Sequence, residues 1–221
     1  MVGPSSPILQ KPKTRSIVYI DGFNFYYGAV QSTPALKWLD LARYCGYLRP
    51  HDDLRAIRYF SAMVTGRTKP NQEAYLRALA TTPIVEIVLG KFKKKRVTCD
   101  VPLCTWAGDR VYYVPEEKRT DVNIGIFMLD DAYRNACDHL ILFSGDSDLV
   151  PALNMIKLRF PGKKITVYVP SRNPKRGAAV EIRSAADVNR TLPLNFLGKA
   201  QFPEKIPDGS GGFVTRPLDW H

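Results

Sequence analysis

The sequence predicts an α/β fold, a mostly parallel β-sheet flanked by helices, with a basic hairpin-like insertion. Three observations predict it. Short β-rich runs alternate with helix-patterned segments along residues 16–187. One of those runs, residues 139–143 (HLILF), is almost wholly apolar, as a central parallel strand buried on both faces must be. Parallel neighbours need crossover connections, which are right-handed, and the intervening helices supply them.

The elements follow in order. Residues 16–20 (SIVYI) form a strand that ends at the turn Asp21-Gly22. Residues 37–48 are helical, with Leu39, Ala42, Tyr44 and Leu48 on one broad face. Residues 57–64 alternate around Tyr59 and Phe60 as a second strand, and 66–70 form a basic loop. A helix over 71–80, with Asn71 as N-cap, leads to a third strand over 84–89. The basic segment 91–115 holds a hairpin around Val97 and residues 111–114. Thr120 is a good N-cap for a long helix reaching Cys137, with Val122, Ile126, Leu129 and Tyr133 one turn apart along one side. Then come the apolar strand, a helix over 147–160, a strand over 164–169 and a helix over 176–187. Residues 1–14 read as a flexible arm, 15–198 as the domain, and the Pro-, Gly- and Ser-rich residues 199–221 as a tail. There is no internal repeat.

The charge balance points to a partner. A formal net charge of +11 on 221 residues, with a pI near 9.6, suits a polyanion, because phosphate neutralisation supplies most non-specific nucleic-acid affinity. Solubility alone, or attraction to an anionic membrane surface, is the plainer account. No apolar run approaches the roughly 20 residues of a spanning helix, and residues 1–15 lack the apolar stretch of a secretory signal. Four cysteines do not make a disulfide framework, so a reducing, cytoplasmic setting is expected. Cys99 and Cys104, without two further ligands nearby, are a weak zinc signal, and His139 reads as a core residue.

In parallel sheets, sites form at the carboxyl ends of strands. Two acidic motifs fall there: Asp21-Gly22-Phe23-Asn24 after the first strand, and Ser144-Gly145-Asp146-Ser147-Asp148 after the apolar one. Asp121 lies in the first turn of its helix. Carboxylates gathered in one small volume repel, and holding them ionised calls for a cation. Hard oxygen donors with room for water suit Mg²⁺ or Mn²⁺, which can activate water and steady a phosphodiester. Asp21, Asp121 and Asp146 are therefore the expected metal ligands. Asp148 is a further or water-mediated ligand, and Asn24 and Ser144 position ligands or phosphate. Taken singly, each acid also has a structural reading: Asp121 can favour the helix dipole, Asp146 or Asp148 can cap a helix, and Asp21-Gly22 can be an ordinary turn.

Lys91, Lys93, Lys94, Lys95 and Arg96 surround Phe92, close in sequence to Trp106, Tyr112 and Tyr113. Cations interleaved with rings suit single strands, although Lys on an edge hairpin also discourages aggregation. Arg172, Lys175 and Arg176 form a second basic group after the last long strand. Phe23, Phe25, Tyr26 and Tyr27 trail the first motif, mostly as core, with one left to face substrate.

Residues 17–26 (IVYIDGFNFY), 118–123 (KRTDVN) and 143–151 (FSGDSDLVP) together resemble the NYN domain family, in its LabA-like branch of the PIN-like nuclease superfamily. The resemblance covers roughly residues 16–190. It implies a Rossmann-like PIN/NYN fold, a carboxylate metal site at Asp21, Asp121 and Asp146, and activity on RNA. The expected function is a metal-dependent ribonuclease, an endonuclease by preference, cutting single-stranded RNA with Mg²⁺ or Mn²⁺. The alternative is a non-catalytic RNA-binding or adaptor domain of the same fold. Aspartyl-phosphate chemistry of the haloacid-dehalogenase type fits poorly, since the place of its general-acid Asp is taken by Phe23. The sequence names no protein partner and leaves homo-oligomerisation open.

Overall fold

The computed structural model describes residues 12–171 and 179–221. A six-stranded, wholly parallel sheet has the order β3-β2-β1-β6-β7-β8, built from β1 (Arg15–Asp21), β2 (Asp53–Ser61), β3 (Val85–Leu89), β6 (His139–Phe143), β7 (Lys164–Val169) and β8 (Val188–Thr191). The chain builds outward from β1 in one direction, then returns to lay β6 against its other edge. That reversal makes the carboxyl ends of β1 and β6 the switch point of the sheet, where loops diverge and leave a crevice.

Strand alternation splits the core in two. Val18, Ile20, Ile57, Ile141 and Phe143 face one layer, with α2 (Leu41–Leu48) and α3 (Lys69–Ala80). Ile17, Tyr19, Leu140, Leu142 and Val167 face the other, with α4 (Thr120–Tyr133), α5 (Val150–Arg159) and α6 (Val180–Ala185). Every residue of β6 is buried, in line with its apolar composition. His139 is among them: its Nε2 lies 2.7 Å from Thr166 Oγ1, and burial holds its pKa down near 4. The basic segment forms an antiparallel hairpin of β4 (Lys91–Thr98) and β5 (Val111–Lys118), outside the main sheet.

Several expectations shift. Helix α2 starts at Leu41, because Asp40 accepts from Arg43 N–H as its N-cap and Leu39 bridges to Gln201. Helix α3 starts at Lys69 on Pro70, so Asn71 lies inside its first turn and is not the cap. Helix α4 ends at Tyr133, short of Cys137. Its buried residues are Ile124, Met128, Asp131 and Ala132, while Val122, Ile126, Leu129 and Tyr133 point to solvent. The reason is Asp131, 1% exposed, which accepts from Arg58 through both oxygens at 2.9 Å and from Tyr19 O–H at 2.8 Å. A carboxylate so held turns inward although hydropathy places it outside.

Residues 199–221, expected as a tail, pack onto the domain instead. Strands β9 (Lys205–Pro207) and β10 (Phe213–Thr215) pair antiparallel, and Phe202, Ile206, Val214 and Trp220 are buried. Trp38 Nε1–H donates to Pro203 O at 2.8 Å, and the Trp220 ring lies 6.2 Å from Trp38 and 5.9 Å from Tyr75. Turn residues dominate the composition there and mask a few widely spaced apolar anchors. The expected arm at 1–14 lies mostly outside the described residues, as do the start of the helix expected at 176 and the basic group Arg172, Lys175 and Arg176. Among the described residues no helix is long and apolar enough to cross a membrane.

Candidate acidic active site

The last residue of β1 is Asp21, and the chain turns from it straight into α1 (Gly22–Phe25), continued by a π-type turn over Tyr26–Val30. That tight exit depends on Gly22, where a Cβ would stand 2.6 Å from Phe60 O and 2.8 Å from the Tyr59 ring. Asp21 caps the helix, its Oδ1 accepting from Asn24 N–H at 2.9 Å. Its Oδ2 accepts from Ser144 O–H at 2.9 Å, across to the loop after β6. Asn24 ties the same two loops in the other direction, its Oδ1 accepting from Gly145 N–H at 3.0 Å. Ser144 Oγ also accepts from Asp146 N–H at 3.1 Å, and Asp146 Oδ1 accepts from Asp148 N–H at 2.9 Å. Motifs 120 residues apart in sequence are thus fastened to each other by side chains of both.

Asp121 comes from a third direction. It lies in the first turn of α4, whose N-cap, Arg119, adopts the left-handed region at φ 85°. A non-glycine residue there costs on the order of 1–3 kcal/mol, and such strain collects at working sites. Thr120 is buried and bonds through N–H and O–H to the carboxylate of Glu117. Asp21, Asn24, Asp121, Asp146 and Glu117 line one cleft of about 400 Å³. Ser144 stands behind Asp21, fully buried. Asp148 is exposed and lies outside the lining.

Among the described residues no cation pairs with these carboxylates. Asp21 is 5% exposed, and burial first, then Asp146 and Glu117, push its pKa up to about 6 against its two hydrogen bonds. Asp121, half-buried, is pushed up to about 6 by burial and then by Asp21, Asp146, Glu117 and Asp148. Among the described residues no group of three His, Cys, Asp or Glu side chains is drawn together tightly enough to hold an ion alone. The donor set nevertheless fits Mg²⁺ or Mn²⁺, which keeps several waters and takes one or two carboxylates. Cys99 and Cys104 are free, partly exposed thiols in the segment joining β4 to β5.

Glu117 is the site residue that sequence reasoning missed. The available signal was its place in Glu116-Glu117-Lys118-Arg119-Thr120-Asp121, three residues before the first residue of a helix. Its neighbour Glu116 has a different occupation, pairing with Lys95 at 3.2 Å and Lys118 at 3.0 Å. The hairpin reaches the site through Phe92, whose ring meets Phe23 edge-on at 5.5 Å. Lys91, Lys93, Lys94, Lys95 and Arg96 all lie exposed along β4.

The model of the NYN domain matches residues 15–193, which hold all five carboxylates named above. A curated relative, 6-hydroxy-3-succinoylpyridine 3-monooxygenase HspA of Pseudomonas putida, is 29% identical over 245 aligned positions, spanning 96% of this chain and 77% of that protein. Its name describes that relative's own activity. A crystal structure of a protein of unknown function from Vibrio parahaemolyticus superposes with a TM-score of 0.53 at 17% identity, over 82% of this chain and 94% of that one, and shares the fold.

Proposed function

The chain belongs to the NYN domain family, a PIN-like nuclease group, and from that premise we propose that it is a metal-dependent ribonuclease, an endonuclease acting on single-stranded RNA. The observation that carries the proposal is Asp21: a buried carboxylate at the switch point, faced by Asp121, Asp146 and Glu117 and, among the described residues, by no cation. On α4, packed against the same sheet, the buried carboxylate of Asp131 is matched by Arg58, so the fold can supply a cation where one is structural.

Asp21, Asp121 and Asp146 hold the ion, with Glu117 a further donor on the cleft wall and Asp148 reaching it through water. A bound Mg²⁺ or Mn²⁺ supplies a water of lowered pKa and charge stabilisation at the phosphate. The chain does the rest. Ser144 O–H and Asn24 N–H fix the two oxygens of Asp21, so that it is oriented before substrate arrives. Asn24 keeps the two loops in register through Gly145. Lys91, Lys93, Lys94, Lys95 and Arg96 attract the phosphate backbone beside the cleft. Arg172, Lys175 and Arg176 would extend that attraction from outside the described residues.

A second reading, RNA binding without cleavage, draws on the spacing of the carboxylates, none of which form a closed trio. End-labelled single-stranded RNA incubated with Mn²⁺, Mg²⁺ or EDTA, alongside Asp146→Asn, separates the two. Metal-dependent cleavage that disappears in the variant is the expected result. Cleavage that survives the substitution removes the assignment, and binding without products favours the second reading.

A further inference from the structure

The motif that carries Asp21 has a second side. Gly22 and Phe23 also line a cavity of about 380 Å³, within the roughly 300–1,000 Å³ of small-ligand sites. Its walls are aromatic: Tyr26, Tyr27, Tyr59, Tyr75 and Trp220. Phe23 and Tyr27 line both this cavity and the acidic cleft, their rings stacked at 6.4 Å and 23°, so they form the partition between the two. Tyr27 is 62% exposed and lines both spaces, so part of its ring stays open to a ligand. Lys37 Nζ lies 5.4 Å over the Tyr26 ring at the rim. Asn71 Nδ2–H donates to Asp219 Oδ2 at 3.0 Å on the same wall, which leaves carbonyl and carboxylate oxygens there as acceptors.

We propose that this cavity is a nucleobase subsite, taking one base while the adjoining phosphate lies over the acidic cleft. The proposal rests on the nuclease reading for the phosphate but not for the base. Tyrosine rings and an indole offer π-surface, on which bases stack without regard to sequence. Acceptors at the rim suit the N–H groups of a base edge, and Lys37, which lines this cavity and not the acidic cleft, suits the phosphate on the other side of that nucleotide. Because phosphate and base are joined covalently, a pocket divided from the phosphate site by one pair of rings is where a strand held in the cleft can place its neighbouring base. Trp220 and Asp219 lie beyond the residues that match the family model, so the C-terminal segment of this chain completes the subsite.

The test is calorimetric titration of the full chain, in EDTA, with AMP, GMP, CMP and UMP. The same titrations are run on Leu36→Trp, which fills the cavity, and on Lys37→Ala. We expect saturable binding of at least one nucleotide, weakened tenfold or more by Leu36→Trp. Lys37→Ala should weaken the nucleotide more than the matching nucleoside. No saturable binding, or binding that neither variant alters, overturns the proposal. A single-stranded RNA carrying an abasic unit at successive positions then identifies the source of the base. A tenfold loss of affinity at one position means that the strand delivers it; indifference at every position, with mononucleotide binding intact, means that a free nucleotide is the occupant. Nucleotide binding without metal-dependent cleavage removes the nuclease reading and keeps the subsite. Cleavage without nucleotide binding does the reverse.

Discussion

Two buried carboxylates, Asp131 on α4 and Asp21 at the end of β1, are treated in opposite ways. Asp131 is met by Arg58 in a two-pronged ion pair and by Tyr19 O–H, and the Arg58 guanidinium in turn lies 5.0 Å over the Phe127 ring. Its charge is neutralised inside the fold, and nothing further can bind to it. Asp21 receives hydrogen bonds but, among the described residues, no opposite charge, and other acids crowd it. The first arrangement joins a helix to the sheet; the second holds an unmet demand for positive charge at the one place where the topology leaves a crevice. Burial by itself therefore does not mark a working carboxylate, whereas burial without a counter-charge does.

Substitution should separate the two most sharply. Asp21→Asn is expected to lower metal-dependent cleavage by roughly 10²–10³-fold, the scale of losing one preorganised electrostatic contact, with the fold retained. Asp131→Ala should do the opposite: cleavage persists in whatever protein stays folded, while stability falls by roughly 3 kcal/mol in urea titration, because Arg58 is left without its main partner. Glu86 still pairs with Arg58, which places the loss at the low end of the range for broken buried pairs. Equal stability losses in the two variants would erase the distinction.

A pH titration sharpens it further. Asp21 and Asp121 keep their protons up to about pH 6 in the folded protein, whereas an unfolded Asp releases its proton near 3.9. Between those values the native state binds more protons, so these groups lower the stability of the metal-free protein as pH rises through about 4 to 6. The urea midpoint of Asp21→Asn should therefore gain on wild type across that window, and saturating Mn²⁺ should reduce the difference. The smallest effect is expected farthest from both carboxylates. Replacing Lys93 and Lys94 with Ala should flatten the salt dependence of RNA affinity by about 0.7 per cation, read from the slope of log affinity against log salt.

Much of the sheet was legible because its signals are local. The limits of β6 and β7 coincide with those read from apolar runs, and the acidic motifs at the ends of β1 and β6 fall where parallel-sheet logic puts them. What escaped depends on partners distant in the chain. The inward face of α4 is set by Arg58 on another strand, which no periodicity within the helix can reveal. Glu117 belongs to the cleft because the end of β5 is brought beside Asp21, a residue far earlier in the chain. The C-terminal segment looks like a tail until Trp38 and Tyr75 are in place to receive Trp220. The aromatics after Asp21 were expected mainly as core; Phe25 is buried, but Phe23 and Tyr27 form a partition between two cavities.

The seam between β1 and β6 also sets a timetable. Asp21 and Ser144 are 123 positions apart, and loop closure over such a separation is slow compared with the local pairing of β1, β2 and β3. A growing chain can thus hold half of its sheet while Asp21 has no hydroxyl to orient it and Asn24 has no amide to grip. The acidic centre needs both halves of the sheet in place, so the proposed metal site would report on the docking of the second half.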